Sequence, residues 1–307
     1  MSLLAPAQRK RVSPEARREA LTFYFCITPW VIGFILFTAG PMIASAWFSF
    51  TKWNFISTPR FNGLANYVYA LKDPLFTKSL VNTAYYSFGS VPLELIFGLL
   101  VALVMNNNLK GINIFRSIYY LPAVMSGVAV VLLWRWVFDP KFGMLNQVLK
   151  LFGIKGPTWI YSPQWVIPAF IIMTLWGVGG YMILYLAGLQ GVPTEMYEAA
   201  SIDGAGRMRR LWSITLPMIS PVIFFNLVMG IIGSFQVFTS SFIMTNGGPN
   251  NASLFYVLYL YRQAFQYFNA GYGSALAWIL FIIIMLLTAL VFRGSALWVY
   301  YEGSVAK

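Results

Sequence analysis

The sequence contains no histidine, a single cysteine and only nine Asp and Glu residues in 307. Without histidine, the usual zinc constellations and every histidine-based catalytic triad are excluded. The lone Cys26 cannot close a disulfide within the chain, and its place in an apolar run reads as that of a small buried hydrophobe. No G-x-x-x-x-G-K-[ST] segment occurs, so the chain is not expected to hydrolyse ATP by itself. An RRM signature and zinc-finger spacing are also missing. That removes the main argument for nucleic acid as the partner of a chain with net charge +12.

Charge is scarce and apolar residues are abundant. Hydrophobic residues make up 59% of the chain and charged residues 10%, against roughly one-quarter charged in soluble domains. The mean hydropathy is +0.68. Several runs approach the roughly 20 apolar residues that cross a hydrocarbon core, where backbone polar groups must be satisfied within the segment, as helices. Six spans are predicted: Leu21 to Phe50, Leu80 to Met105, Ile114 to Phe138, Trp165 to Leu189, Ile214 to Ile243 and Ser274 to Phe292. The pattern describes an all-α integral membrane protein with an N-terminal tail over 1–20, a six-helix body over 21–293 and a C-terminal tail over 294–307. The first apolar run is far longer than a signal-peptide core, so the tail reads as uncleaved. Ser253 to Phe268 is aromatic yet carries Arg262, and its length and flanks predict an interfacial helix rather than a seventh crossing.

A cytoplasmic N-terminus places the 106–115 and 190–213 loops and the C-terminal tail on the same side. These inner segments hold twelve Lys and Arg against eight outside, a modest positive-inside bias. Arg135 sits at a span end between Trp134 and Trp136, which reads as a guanidinium snorkelling to headgroups. Anionic lipid and topology thus account for the net positive charge.

The stretch from Val192 to Pro221 is different in kind. Pro193 and Thr194 suit a helix start, Glu195 and Glu198 put negative charge in its early turns, and Gly204 can supply a left-handed stop. A helix of about ten residues is marginal alone in water, and becomes useful when something docks against it. Ala199 and Ala200 permit close approach. A connector lying on the membrane surface is the other reading. Pro217 and Pro221 predict a kink where the fifth span begins.

EAASIDGAG (Glu198 to Gly206), followed by ITLP (Ile214 to Pro217), resembles the EAA loop of permease subunits in bacterial ATP-binding-cassette importers, with Leu211 where that family commonly has Phe. FRSIYYLP (Phe115 to Pro122), LLWRWVFDPKFGMLN (Leu132 to Asn146), YLAGLQGVP (Tyr185 to Pro193), TNGGP (Thr245 to Pro249) and GYGSALAW (Gly271 to Trp278) resemble the carbohydrate importer group that includes the maltose permease subunits. The MalF-like member is nearest, without the long outer domain of the enteric maltose protein. The resemblance implies a type I importer (MetI-like) transmembrane domain in the bacterial inner membrane, with its cytoplasmic coupling helix within 194–206. It implies that Glu198 engages a basic residue in the ATPase groove, that Ala199 and Ala200 belong to the docking helix, and that Asp203 and Gly204 shape the loop after it. It also implies a second, MalG-like permease subunit, two ATPase subunits that hold ATP and magnesium, an extracytoplasmic solute-binding protein and a carbohydrate solute. This chain is then expected to bind no cofactor or metal and to catalyse nothing.

Sugar sites combine aromatic faces with amides and hydroxyls. Trp176, Gly177 and Tyr181 resemble positions lining the cavity in the maltose system, and Gly233, Ser234 and Gln236 fall near the family's mid-membrane sugar contacts. Small residues in spans also pack helices together, which is the competing reading for several of them. Glu94, the one acid inside an apolar run, is a candidate on the solute path or a partner within the bundle. The predicted fourth and fifth spans carry no cation for a phosphate, which favours a neutral di- or oligosaccharide over glycerol 3-phosphate. Six spans with Glu94 alone argue against a secondary carrier. A membrane-embedded enzyme lacks both a nucleophile–base pair and metal ligands.

Overall fold

The computed structural model describes residues 14–107 and 110–300. Of the two expected tails, residues 1–13 and 301–307 lie outside the described residues. Helix α1 (Pro14–Ser49) leads to a small antiparallel hairpin, β1 (Thr51–Lys52) and β2 (Arg60–Phe61), with Thr51 opposite Phe61. Short α2 (Ala65–Lys72) precedes the long α3 (Pro74–Met105). Then come α4 (Ile112–Val124) with α5 (Gly127–Val137), the loop helix α6 (Met144–Leu151), α7 (Val166–Leu175) with α8 (Gly179–Gln190), and the short α9 (Thr194–Ile202). Helices α10 (Arg207–Met218) and α11 (Ser220–Phe235), short α12 (Tyr256–Tyr261) and long α13 (Ala270–Ser295) complete the order. Helices α1, α3 and α13 are each long and apolar enough to cross a membrane, and counting each of the three bent pairs as one span gives six.

Three expected spans are therefore broken rather than straight. The bend is 99° between α4 and α5, 43° between α7 and α8, and 64° between α10 and α11. The last falls where the prolines place it. Pro221 has no N–H to give the Pro217 carbonyl, and the Ser220 hydroxyl donates to that carbonyl instead, at 2.6 Å. At the α7–α8 bend, a Cβ on Gly179 would lie 2.1 Å from the Tyr119 carbonyl oxygen, so glycine is what lets α4 come against the start of α8.

Helix α3 is the axis of the fold and packs against α7, α8 and α11. Its ends lie in two different cores. Phe76 joins Leu254, Tyr256, Leu258 and Leu276 at one end, whereas Ala102 and Met105 join Met182, Leu189, Val192 and Ile219 at the other. Asp73 caps its first turn, accepting from the Leu75 N–H at 2.9 Å, and its second carboxylate oxygen accepts from the hydroxyls of Tyr259 and Tyr272. One buried carboxylate thus ties α3, α12 and α13 together.

Two expectations are corrected. The segment 253–268 is not an interfacial helix along its length: Leu254, Tyr256, Leu258 and Tyr259 are buried among α3, α11 and α13, Phe255 packs on Tyr86 and Phe170, and only its end, with Phe265, Tyr267 and Phe268, is exposed. Its α-helical part is only six residues, too short to cross, and Tyr256 and Tyr259 within it are packed against protein. Cys26 is exposed rather than buried, because no residue of the first stretch of α1, Pro14–Phe34, is buried within the chain. The two indoles beside Arg135 also differ: Trp136 is exposed, whereas Trp134 packs inward on Trp176 with ring centroids 6.0 Å apart.

Candidate coupling helix and solute path

Helix α9 has nine residues, close to the expected length, and its terminus is built as the glycine requires. Gly204 adopts φ +74°. The Gly204 N–H donates to the Ser201 carbonyl at 3.1 Å and the Ala205 N–H to the Ala200 carbonyl at 2.8 Å, the paired bonds of a Schellman stop. Asp203 is the C-terminal boundary residue, its N–H bonded to Ala199. No residue of α9 is buried, and Glu195, Glu198 and Ala199 are exposed.

The helix is nonetheless fastened to the bundle. Val192, just before it, is buried in the core that holds Met105 and Ile219. The Tyr197 hydroxyl lies 3.0 Å from the Thr215 hydroxyl on α10, which itself donates to the Arg210 carbonyl. Arg116 closes the same end by donating twice to the Met105 carbonyl, at 2.7 and 3.2 Å, so a cation satisfies the C-terminus of α3. Helix α9 is thus joined to α10 through a hydroxyl pair and to α8 through continuous chain.

Around α9 the structure adds residues that sequence reasoning passed over. Ile202 is 87% exposed and Met208 72% exposed, with Met196 also open. These apolar side chains stand on the connection between spans. Their signal was present as Met and Ile inside a polar loop, but the EAA pattern drew attention to the acidic and small residues instead.

The six solute candidates divide. Trp176 and Gly177 occupy the α7–α8 bend, with Trp176 exposed and edge-on to Trp134. Tyr181 reaches across to α3, its hydroxyl donating to Glu94 at 3.3 Å, and a Cβ on Gly98 would lie 2.6 Å from the Tyr181 Cβ. Gly98 on α3 thus makes room for this tyrosine. Gly233 and Gln236 on and after α11 are exposed. Ser234 is buried, its hydroxyl 2.5 Å from the Ser87 hydroxyl of α3. Glu94 is drawn into this group by its contact with Tyr181. Among the described residues, no group of three or more His, Cys, Asp or Glu comes together as a metal site.

This architecture is that of a multi-pass helical membrane protein with one short helix projecting from the end of a bent span. Residues 94–299 match the family model for the binding-protein-dependent transport system inner membrane component. The chain belongs to that family. It is 40% identical over 302 residues to a probable ABC transporter permease protein, YesP, of Bacillus subtilis, covering 97% of each chain. It is 34% identical to the trehalose/maltose transport system permease protein MalF of Thermococcus litoralis, covering 88% of this chain and 92% of the relative. The arabinooligosaccharides transport system permease protein AraP of Bacillus subtilis is 35% identical, covering 89% and 88%. A chain from the crystal structure of a bacterial alginate ABC transporter, in complex with an alginate pentasaccharide-bound periplasmic protein, shares the fold. Its TM-score is 0.80 at 24% identity, over 92% of this chain and 96% of that one.

Proposed function

We propose that the chain is one of two permease subunits of an ATP-driven importer, forming with the second, MalG-like subunit the path for a di- or oligosaccharide. The single observation that carries the coupling part is α9, an unburied helix with a Schellman stop, fastened to α10 by the Tyr197–Thr215 contact and bearing exposed Ile202 and Met208. Such a helix outside the bilayer is stable when a partner covers it. The partner is the ATPase pair, whose closure around ATP and magnesium moves α9 and, through α10 and α8, rocks the bundle between two states. Glu198, Ala199 and Ala200 form the contact, while Asp203 and Gly204 set its end. The N-terminus and α9 then lie in the cytoplasm, and an extracytoplasmic binding protein delivers the solute from the opposite side. The relatives named for trehalose and maltose and for arabinooligosaccharides support a carbohydrate.

Within the path, Trp176 and Tyr181 offer aromatic faces and Gln236 an amide, with Gly177 and Gly233 leaving space beside them. Ser234 contributes through packing. Glu198→Ala combined with Gly204→Pro is expected to leave membrane insertion intact and abolish co-purification of the ATPase subunits; unchanged co-purification removes the coupling reading. Gln236→Leu is expected to lower uptake with the complex assembled, and wild-type uptake kinetics would eliminate Gln236 as a solute contact.

A further inference from the structure

The end of the molecule opposite α9 carries a cavity that transport, as described above, does not use. Helix α7 starts beside the 138–165 loop and the same bent span ends at α9, so the two features sit at opposite ends of one crossing. Within that loop Lys141, Lys150 and Lys155, with Asn146 and Gln147, line a cavity of about 600 Å3. No carboxylate belongs to its lining. Asp139, two residues before Lys141, has one oxygen accepting from the Lys141 and Phe142 N–H groups at 2.9 and 2.8 Å and is also attracted to the Lys141 ammonium, so it offsets part of that one charge and leaves Lys150 and Lys155 uncompensated by it.

The walls are fixed in advance. The Asn146 amide donates to the Pro140 and Pro157 carbonyls, both at 3.1 Å, and its oxygen accepts from the Trp159 indole at 2.7 Å. Gln147 donates to the Lys141 carbonyl at 3.0 Å. Three exposed lysines around one preformed space, with no carboxylate in its lining, call for an anion.

The rim indicates what carries that anion. Phe142, Leu151 and Phe152, next in the chain to Lys141 and Lys150, are 74%, 85% and 76% exposed. Trp136, Tyr161 and Trp165 are exposed at the same end, the aromatic signature of the level where a bilayer meets water. Apolar side chains interleaved with lysines at that depth match an acyl–headgroup boundary and would be costly in water.

We propose that this cavity binds the phosphate-bearing headgroup of an anionic glycerophospholipid, whose acyl chains lie against Phe142, Leu151 and Phe152. The ammonium groups of Lys141, Lys150 and Lys155 neutralise the phosphate, and Asn146 keeps the loop open to receive it.

The test uses the full chain purified in its transporter complex in a zwitterionic detergent. It is titrated with phosphatidylglycerol or phosphatidylcholine, with retained lipid counted by native mass spectrometry. Phosphatidylglycerol is expected to be retained and phosphatidylcholine not. The triple variant Lys141→Gln, Lys150→Gln, Lys155→Gln is expected to weaken phosphatidylglycerol binding on the order of 100-fold, and the corresponding triple Lys→Arg variant to keep it. Equal retention by the glutamine variant and the wild type would overturn the proposal. So would loss of lipid from an assembled arginine variant, or equal retention of phosphatidylcholine. Displacement of the lipid by inorganic phosphate at matched concentration would also overturn it, by making this a small-anion site. Loss of external binding-protein docking in the glutamine variant, with phosphatidylglycerol still retained, would assign the lysines to a protein partner and overturn it as well.

Discussion

Gly204 offers the sharpest perturbation of the projecting helix. It sits at φ +74°, and a Cβ built there meets nothing within 4 Å. Any cost of a side chain at this position is therefore torsional, not steric. A left-handed conformation costs an L-residue roughly 1–2 kcal/mol, so Gly204→Ala should open the Schellman stop about fivefold more often and Gly204→Val up to about 30-fold. Asn tolerates this region, and Gly204→Asn should stay close to the glycine protein. The reporters are the amide protons of Asp203 and Ala205, which bond to the Ala199 and Ala200 carbonyls. Their hydrogen exchange in the purified complex should rise in the order Asn, Ala, Val, and ATPase co-purification should fall in the same order. Full amide protection in Gly204→Val would refute the torsional argument. Faster exchange with undiminished co-purification would refute the coupling role while leaving the helix stop intact.

The remaining expectations concern the attachments. Tyr197→Phe removes one hydroxyl contact with Thr215, worth about 1 kcal/mol; ATP hydrolysed per solute imported should rise, and an unchanged ratio would show that force does not pass through this pair. Asp73→Ala removes a helix cap and strands the Tyr259 and Tyr272 hydroxyls, for a loss of about 2–4 kcal/mol that Asp73→Asn should partly restore. Thermal unfolding in detergent measures it, and an unshifted Tm in the alanine variant would contradict the buried junction. The backbone N–H groups of Phe142 and Lys141 hold the Asp139 carboxyl below its usual range. Because the folded value is depressed, the turn's stabilisation is complete above the unfolded pKa of about 3.9 and is lost as pH falls through the lower folded value. Phe142 amide protection should therefore persist at about pH 4, and its loss already near pH 5 would contradict the turn.

The helical membrane class was legible from apolar run length and scarcity of charge, and the stop at Gly204 from a single glycine behind a short stretch with acidic residues near its start. The proline pair at 217 and 221 announced its bend because a missing N–H is a local property. The bends between α4 and α5 and between α7 and α8 were not legible in the same way. At the second, the deciding fact is that Gly179 meets the Tyr119 carbonyl, a contact between residues 60 apart in the chain. The first half of the 253–268 segment misled for a related reason: an aromatic, apolar stretch has the same composition against lipid as against protein, and partners far away in sequence, Asp73, Asn82 and Thr83, show which surface it meets. The partner of Ser234 was not legible, because a hydroxyl in a span is informative about polarity and not about its pairing with Ser87, 147 residues away.

The most direct measurement is the accessibility of Ile202, and the single native cysteine makes it clean. In a Cys26→Ser background, Ile202→Cys should resist a membrane-impermeant maleimide in intact cells and react in inside-out vesicles. There, without maleimide, a bifunctional thiol- and amine-reactive reagent should also cross-link it to a lysine of the ATPase subunit. Labelling from the outside of intact cells, or reaction without any cross-link in the assembled complex, would contradict a cytoplasmic helix seated in the ATPase.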